Sequence, residues 1–172
     1  MLERFGCSAK RVGATGVLAL GDDTSDAHWA DVLSIGESDP LTTGVVVCQF
    51  LQTIGNGGGQ RRAGSHTDVP MMRPDTARKL QQALRETVTR GSGRGVADTL
   101  RATAWSLGGK TGTGPNVVGP TSDGWFAGPV YDPAGVPRYA FATFIRHGGK
   151  GGGNAAQLSA EVARRLIERD VR

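Results

Sequence analysis

Two runs near the end of the chain, GWFAGPVYD (residues 124–132) and RYAFATFIRH (residues 138–147), are joined through Asp-Pro-Ala-Gly at 132–135. Aromatic and β-branched side chains in such runs fit a pleated surface. Proline presets the second position of a four-residue turn, and Asp and Gly suit its first and last. The pattern predicts an antiparallel hairpin. A third extended candidate, LRATAWSLGGKTGT, precedes it and places a strand near 101–113.

Helical spacing appears on both sides of these strands. PDTARKLQQALRETVTR (74–90) carries Ala77, Leu80, Leu84 and Val88 at intervals of three and four, with Pro74 and Asp75 suited to its first turn. NAAQLSAEVARRLIERD (154–170) is read as a closing helix with Ala155, Leu158, Val162 and Leu166 on its buried face. DPLTTGVVVCQFLQTIG (39–55) has Asp39 as an N-cap and Pro40 at the first helical position, and is read as a buried helix. Leu41, Val45, Cys48 and Gln52 would share one of its faces, with Phe50 and Ile54 on a neighbouring one. Residues 1–38 read as irregular, and GNGGGQRRAGSHTDVP (55–70) as a loop. Three antiparallel strands packed with helices make an α+β chain.

With 172 residues the length fits one domain, and 38% hydrophobic residues with 27 glycines fit a loop-rich domain with a modest core. No run of about 18 apolar residues is present to span a membrane. The opening MLERFGCSAKRVG lacks the apolar stretch of a secretory signal, so this chain by itself is expected to stay in the cytoplasm. The net charge of +4 is uneven, because residues 61–101 hold 9 basic and 4 acidic groups. Arg61, Arg62, Arg73, Arg78, Arg85, Arg90, Arg94 and Arg101 lie there without interleaved aromatic residues, which favours a solvated face over a nucleic-acid surface. Cys7 and Cys48 make no disulfide framework, and His28, His66 and His147 are far apart. No metal or other cofactor is expected.

One stretch poses a chemical question. In LGGKTGTGPN (107–116) a single cation, Lys110, stands among glycines and threonines, as if an anion comes close to the backbone. A phosphate loop of the G-x-x-x-x-G-K type needs glycine at 104, where this chain has Ala104, and needs a helix afterwards, where it has Gly112, Gly114 and Pro115.

The flanks point elsewhere. GGKTGTG, then DGWFAGPV, then a β-rich segment and a final helix, resembles the transpeptidase domain of penicillin-binding proteins. Trp125, Phe126, Ala127 and Gly128 match that family's W-F-x-G strand. SIGESDPLTTGVVVCQFLQTIGNGG and VPMMRPDTARKLQQALRETVTRGSGRG resemble two upstream segments, in family order. The resemblance implies a partial β-lactamase/transpeptidase-like fold, with 39–172 family-like and the whole of 1–172 a C-terminal part of the domain. It implies a site in which Lys110 supplies positive potential for the carboxylate of a D-Ala-D-Ala stem peptide or a β-lactam. Thr111 and Thr113 would offer hydroxyls from one strand face, Gly112 would keep the strand bare, and the Thr113 backbone N–H would serve an oxyanion hole.

The family's nucleophile motif, S-x-x-K, and its S-x-N motif are absent: no serine of the chain has Lys three positions on or Asn two positions on. Acylation needs an activated nucleophile, so the chain alone is expected to be inactive, and a complementing N-terminal segment is a candidate partner for the missing part. The parent protein of such a domain is expected to be membrane-anchored and extracytoplasmic. Two other readings stand beside this one: a non-catalytic module of the same fold that binds cell-wall peptide or a partner, and an unrelated phosphate- or nucleic-acid-binding protein.

Overall fold

The computed structural model describes residues 44–61, 67–114 and 121–170. The chain divides into two units, Met1–Val47 and Cys48–Arg172. The expectations for residues 1–38, for the Asp39 cap, for Pro40 and for Leu41 lie outside the described residues, as do Arg62 and His66. The described elements belong to the second unit, apart from the opening residues of one helix that begins just before it.

In chain order the elements are α1 (Gly44–Gly55), β1 (Gly59–Arg61), β2 (Asp68–Pro70), α2 (Pro74–Thr89), β3 (Ser106–Leu107), β4 (Lys110–Gly114), β5 (Asp123–Tyr131), β6 (Pro137–Ile145) and α3 (Asn154–Asp170). The mixture of helices and antiparallel sheet is as expected. The hairpin is also present: β5 and β6 pair antiparallel from Gly124↔Ile145 to Tyr131↔Pro137, with one irregularity at Val130/Tyr131. Its turn closes as the Asp-Pro-Ala-Gly pattern predicts, with Gly135 N–H donating to the Asp132 carbonyl at 2.8 Å. Asp132 then pins the start of β6. Its carboxylate accepts from Val136 N–H at 2.9 Å and from Arg138 Nε at 2.7 Å.

The first strand differs from expectation. Residues 101–103 form a 3-10 turn, and Ala104 takes a left-handed φ of 60°. The extended part begins only at Ser106. β3 and β4 both pair with β5, and their registers (Leu107↔Val130, Lys110↔Ala127) continue one ladder across Gly108–Gly109. They are two halves of one border strand. The segment read as a loop at 55–70 also differs: β1 and β2 pair there, from Gly59↔Pro70 to Arg61↔Asp68.

β5 is central, since it alone among the described strands has partners on both sides. Its alternation sorts the core. Phe126 and Val130 are buried with Leu107, Val88, Val96 and Leu100 against Ala155, Ala156, Ala160, Ala163 and Ile167 of α3. Tyr131, one residue out of phase with Val130, lies on the opposite face. There the Arg85 guanidinium of α2 covers its ring at 3.4 Å, and its hydroxyl reaches the Gln81 carbonyl at 3.4 Å. Burial pushes the Tyr131 phenol up, and the Arg85 charge opposes that shift. From α1, the Ile54 carbonyl accepts from Gln81 Nε2 at 2.8 Å.

Two helix faces are corrected by the structure. On α3 the sheet is met by alanines and Ile167, while Leu158 (48%) and Val162 (47%) are exposed. A sheet approached this closely accommodates small side chains, so the larger residues are turned aside. On α1 the buried residues include Leu51, Thr53 and Ile54, whereas Val45 and Phe50 are exposed. For α2 the expected face is the observed one, with Ala77 and Val88 buried.

Close packing explains Gly109, just before Lys110, and Gly128 across the ladder from it. A Cβ on Gly128 would lie 2.0 Å from the Gly108 carbonyl oxygen, and a Cβ on Gly109 would lie 2.5 Å from the Phe126 ring. Gly128→Ala should therefore cost about 3 kcal/mol or more, the upper end of overpacking losses. Gly114→Ala, where no atom of the described residues lies within 4 Å, is its control. Urea midpoints for the two variants check the difference, and equal midpoints would contradict the packing.

Hydrogen bonds from Val136 N–H, and then Arg138, hold the Asp132 carboxyl below its ordinary pKa. The unfolded chain therefore takes up the proton first on acidification. The Asp132 contribution is complete above the unfolded carboxylate pKa of about 4 and is lost as pH falls below it through the lower folded value. Asp132→Asn should flatten the acid limb of the stability profile below about pH 4, measured by urea unfolding.

Candidate functional site

Lys110 opens β4 and is exposed, and its strand is the border of the sheet. The ladder decides which backbone groups face outward. Gly108 N–H donates inward to the Pro129 carbonyl at 2.9 Å. Counting in twos along the same register, Lys110, Gly112 and Gly114 also turn their backbone groups towards β5. Gly109, Thr111 and Thr113 turn theirs away. Gly109 N–H is taken by the Leu84 carbonyl of α2 at 2.9 Å. The helix thus covers the border at Gly109, and beyond it the backbone groups of Thr111 and Thr113 face out. No other described strand pairs with them.

The same alternation places the side chains. Thr111 and Thr113, opposite Phe126 and Gly124, share the face that carries α3. Lys110 and Gly112, opposite Ala127 and Trp125, are rooted on the other face. From there the Lys110 ammonium folds around the border and donates to the Thr111 carbonyl at 2.6 Å. It has no carboxylate partner among the described residues. On Lys110's face the Trp125 and Phe144 rings pack at 4.8 Å, and Phe144 remains 47% exposed. Gly112 is half-buried, and a Cβ there would meet Trp125 Cβ at 3.1 Å.

Both threonine hydroxyls have protein partners. Thr111 Oγ1 lies 2.6 Å from Ser92 Oγ, in the turn after α2. Thr113 Oγ1 accepts from Gly151 N–H at 3.2 Å, in the glycine-rich loop before α3. That loop lies directly on the strand. A Cβ on Gly151 would stand 2.2 Å from the Gly112 carbonyl oxygen, and one on Gly152 would stand 2.3 Å from the Ser92 carbonyl oxygen. Three segments therefore converge on the K-T-G-T border: β4, the Ser92 turn and the Gly151–Gly152 loop. Sequence reasoning places Lys110, Thr111, Gly112 and Thr113 together, and the structure does bring them to one border. It misses Ser92, Gly151 and Gly152. The only sequence signal for these is a Gly-Ser-Gly after a helix and a glycine run before one.

The basic segment at 61–101 is mostly engaged internally. Arg61 pairs with Asp68, Arg73 with Asp75, Arg90 with Glu86 and Arg101 with Asp98. Arg85 stacks on Tyr131 and donates to the Gly135 carbonyl. No described groups of three or more His, Cys, Asp or Glu side chains form a metal-holding cluster. No described helix is long and apolar enough to cross a membrane.

A family model described as the penicillin binding protein transpeptidase domain matches residues 3–168. The structure is similar to penicillin-binding protein A from M. tuberculosis, solved as an imipenem acyl-enzyme complex. That match has a TM-score of 0.66 at 19% identity, over 95% of this chain and 40% of that chain. It is similar to PBP2 from Helicobacter pylori, with a TM-score of 0.67 at 22% identity over 92% of this chain and 31% of that one. It also matches the structure of the complex between PBP2 and MreC from Helicobacter pylori, with a TM-score of 0.67 at 18% identity over 86% and 29%. The chain spans less than half the length of each of these structures. A comparison with curated proteins gives no match.

The contact between Thr113 and Gly151 holds the loop to the strand. Thr113→Val removes the acceptor of a buried residue's N–H and should cost about 1 kcal/mol. Thr113→Ser keeps the acceptor and should be near neutral. Urea unfolding separates them, and equal stability of the two variants would contradict the role given to this contact.

Proposed function

The chain belongs to the penicillin-binding protein transpeptidase domain family, and from that premise we propose that its open β4 border binds the terminal carboxylate of a D-Ala-D-Ala stem peptide or a β-lactam. The observation that carries this reading is the position of Lys110-Thr111-Gly112-Thr113 on a strand border that no other described strand pairs, with Lys110 exposed and its ammonium at the rim. An extended peptide can add to such a border as a further strand. Coverage by α2 at Gly109 limits the pairing to the Thr111–Thr113 stretch. Lys110 would leave the Thr111 carbonyl for the ligand's carboxylate. The outward Thr113 N–H would face the scissile carbonyl oxygen as negative charge develops on it.

The attacking hydroxyl is not among these residues. No serine stands in S-x-x-K, and the Thr111 and Thr113 hydroxyls are bonded to Ser92 and to the Gly151 N–H, neither of which is a base. We place it on polypeptide outside this sequence. In the complete enzyme that serine would form an ester with the peptide's penultimate residue and release D-alanine. The amine of a second stem peptide would then take the acyl group and return the proton to the serine. On this reading residues 1–172 are the C-terminal part of the domain, and the parent protein works at the outer face of the membrane, where the cell wall is built.

Binding by the border alone must be weak. Each charge-assisted hydrogen bond contributes about 1.5–3 kcal/mol, and a 1 mM affinity corresponds to about 4 kcal/mol. Two or three such bonds, less the cost of ordering the ligand, reach millimolar affinity at best. Titration of acetyl-D-Ala-D-Ala into the labelled chain, followed by NMR, should shift the amides of residues 110–114 in that range. Lys110→Met should weaken the interaction roughly tenfold or more. Covalent labelling of the chain by a fluorescent penicillin would overturn the assignment of the nucleophile. Shifts that avoid 110–114 would overturn the site.

A further inference from the structure

We infer that Ser92 is a positioning residue for carboxylate recognition, acting through Thr111; the inference rests on the border site proposed above. Ser92 Oγ lies 2.6 Å from Thr111 Oγ1, and either hydroxyl can donate in the free chain. A bound carboxylate removes that freedom. A carboxylate only accepts, so Thr111 can bond to it only by donating its single proton. Thr111 Oγ1 is then left as an acceptor, and the hydroxyl beside it is that of Ser92. Ser92 therefore donates to Thr111 while Thr111 donates to the ligand. Each bond in such a chain polarises the next.

The surroundings of Ser92 are built to hold this geometry. The turn that carries it is tied back to α2 by Gly93 N–H donating to the Thr87 carbonyl at 3.0 Å and closed by Arg94 N–H donating to the Gly91 carbonyl at 3.2 Å. Gly93 packs under the Phe126 ring, where a Cβ would lie 3.3 Å from the ring edge. On the opposite side Gly152 closes on the Ser92 carbonyl, and a Cβ at Gly152 would reach Thr111 Cγ2 at 3.5 Å. The Thr111 methyl group thus has the loop on one side, and its hydroxyl is directed at Ser92. The Ser92 side chain is itself exposed, so it stands beside the open border and not inside the core.

The test uses the full chain and two probes, acetyl-D-Ala-D-Ala and the same dipeptide with its terminal carboxylate converted to a primary amide. Ser92→Thr and Ser92→Val have nearly the same shape and differ in the hydroxyl. The Thr variant should keep the wild-type preference for acid over amide. The Val variant should lose roughly fivefold to tenfold in acid affinity, the size of one hydrogen bond, with amide binding unchanged. A purely structural role would lower both probes together, and that result overturns the inference. So does an unchanged acid preference in Ser92→Val. If either β-branched variant fails to fold by circular dichroism, Ser92→Ala is compared with wild type on the same two probes, with the same outcomes deciding. A wild-type chain that does not prefer acid to amide, or a Lys110→Met variant that keeps the preference, removes the border site and the Ser92 role with it. A wild-type preference that depends on Lys110 but not on Ser92 removes the Ser92 role alone.

Discussion

The register of the border strand against β5 governs the rest of this structure. One ladder runs from Ser106↔Tyr131 to Gly114↔Asp123 without a slip. Because side chains and backbone groups both alternate with a period of two, that ladder makes several decisions at once. It sends Leu107 into the core with Val130. It turns the Gly109 N–H to α2 and the Thr111 and Thr113 backbone groups away from β5, where the Thr111 carbonyl accepts from Lys110. It roots Lys110 on one face and both threonines on the other. A slip of one residue would put Lys110 over α3 and the outward N–H on Gly112, leaving no site of this kind. The register is held by contacts that tolerate no displacement, Gly128 under Gly108 and Phe126 under Gly109.

That geometry also answers what the glycines around Lys110 are for. The sequence suggests an anion brought close to a bare backbone. In the structure Gly108 and Gly109 are buried, their missing side chains making room for the Tyr131 and Phe126 rings. Gly112 has Trp125 on one side and Gly151 on the other. These glycines serve packing of the protein against itself. What remains for a ligand is the border itself: outward backbone groups, one cation and two hydroxyls. On the proposed function such a site would recognise an extended chain with a terminal acid, and it offers little to a phosphate, which would want several N–H groups converging on one point.

Much of this is legible in the residues. The hairpin can be read because turn chemistry is local: Asp132, Pro133 and Gly135 act through their own backbone. The α2 helix can be read because Ala77 and Val88 are buried and Leu80 and Leu84 half-buried at the spacing that apolar periodicity predicts. The face of α3 cannot, since periodicity weighs Leu158 and Val162 above alanine, and only the distance between helix and sheet decides that Ala156, Ala160 and Ala163 go inside. Residues 101–103 look extended by composition but turn, with Ala104 left-handed, a tertiary outcome that no propensity at Ala104 foretells. At the site, the K-T-G-T cluster is visible because its members are adjacent. Ser92 and Gly151 lie 19 and 38 residues from their threonine partners, and nothing in a single sequence links them.

The proposed division between gripping and attacking is consistent with where these groups sit. A strand border can present a cation, hydroxyls and an N–H at fixed spacing, because the ladder behind it is rigid. Its own two hydroxyls are bonded to Ser92 and to the Gly151 N–H, neither of which is a base. Here the positions on either side of Thr111 hold Lys110 and Gly112, with Lys110 bonded to a carbonyl and Thr111 bonded to Ser92. The cation and both hydroxyls at the border are thus held by protein partners. On the proposed function, an arrangement of that kind would raise the cost of a misplaced ligand carboxylate and leave the covalent step to a residue from outside the sheet. On the face where Lys110 is rooted, Trp125 packs against the exposed Phe144 ring, so the cation and the threonine hydroxyls reach the border from opposite sides of the sheet.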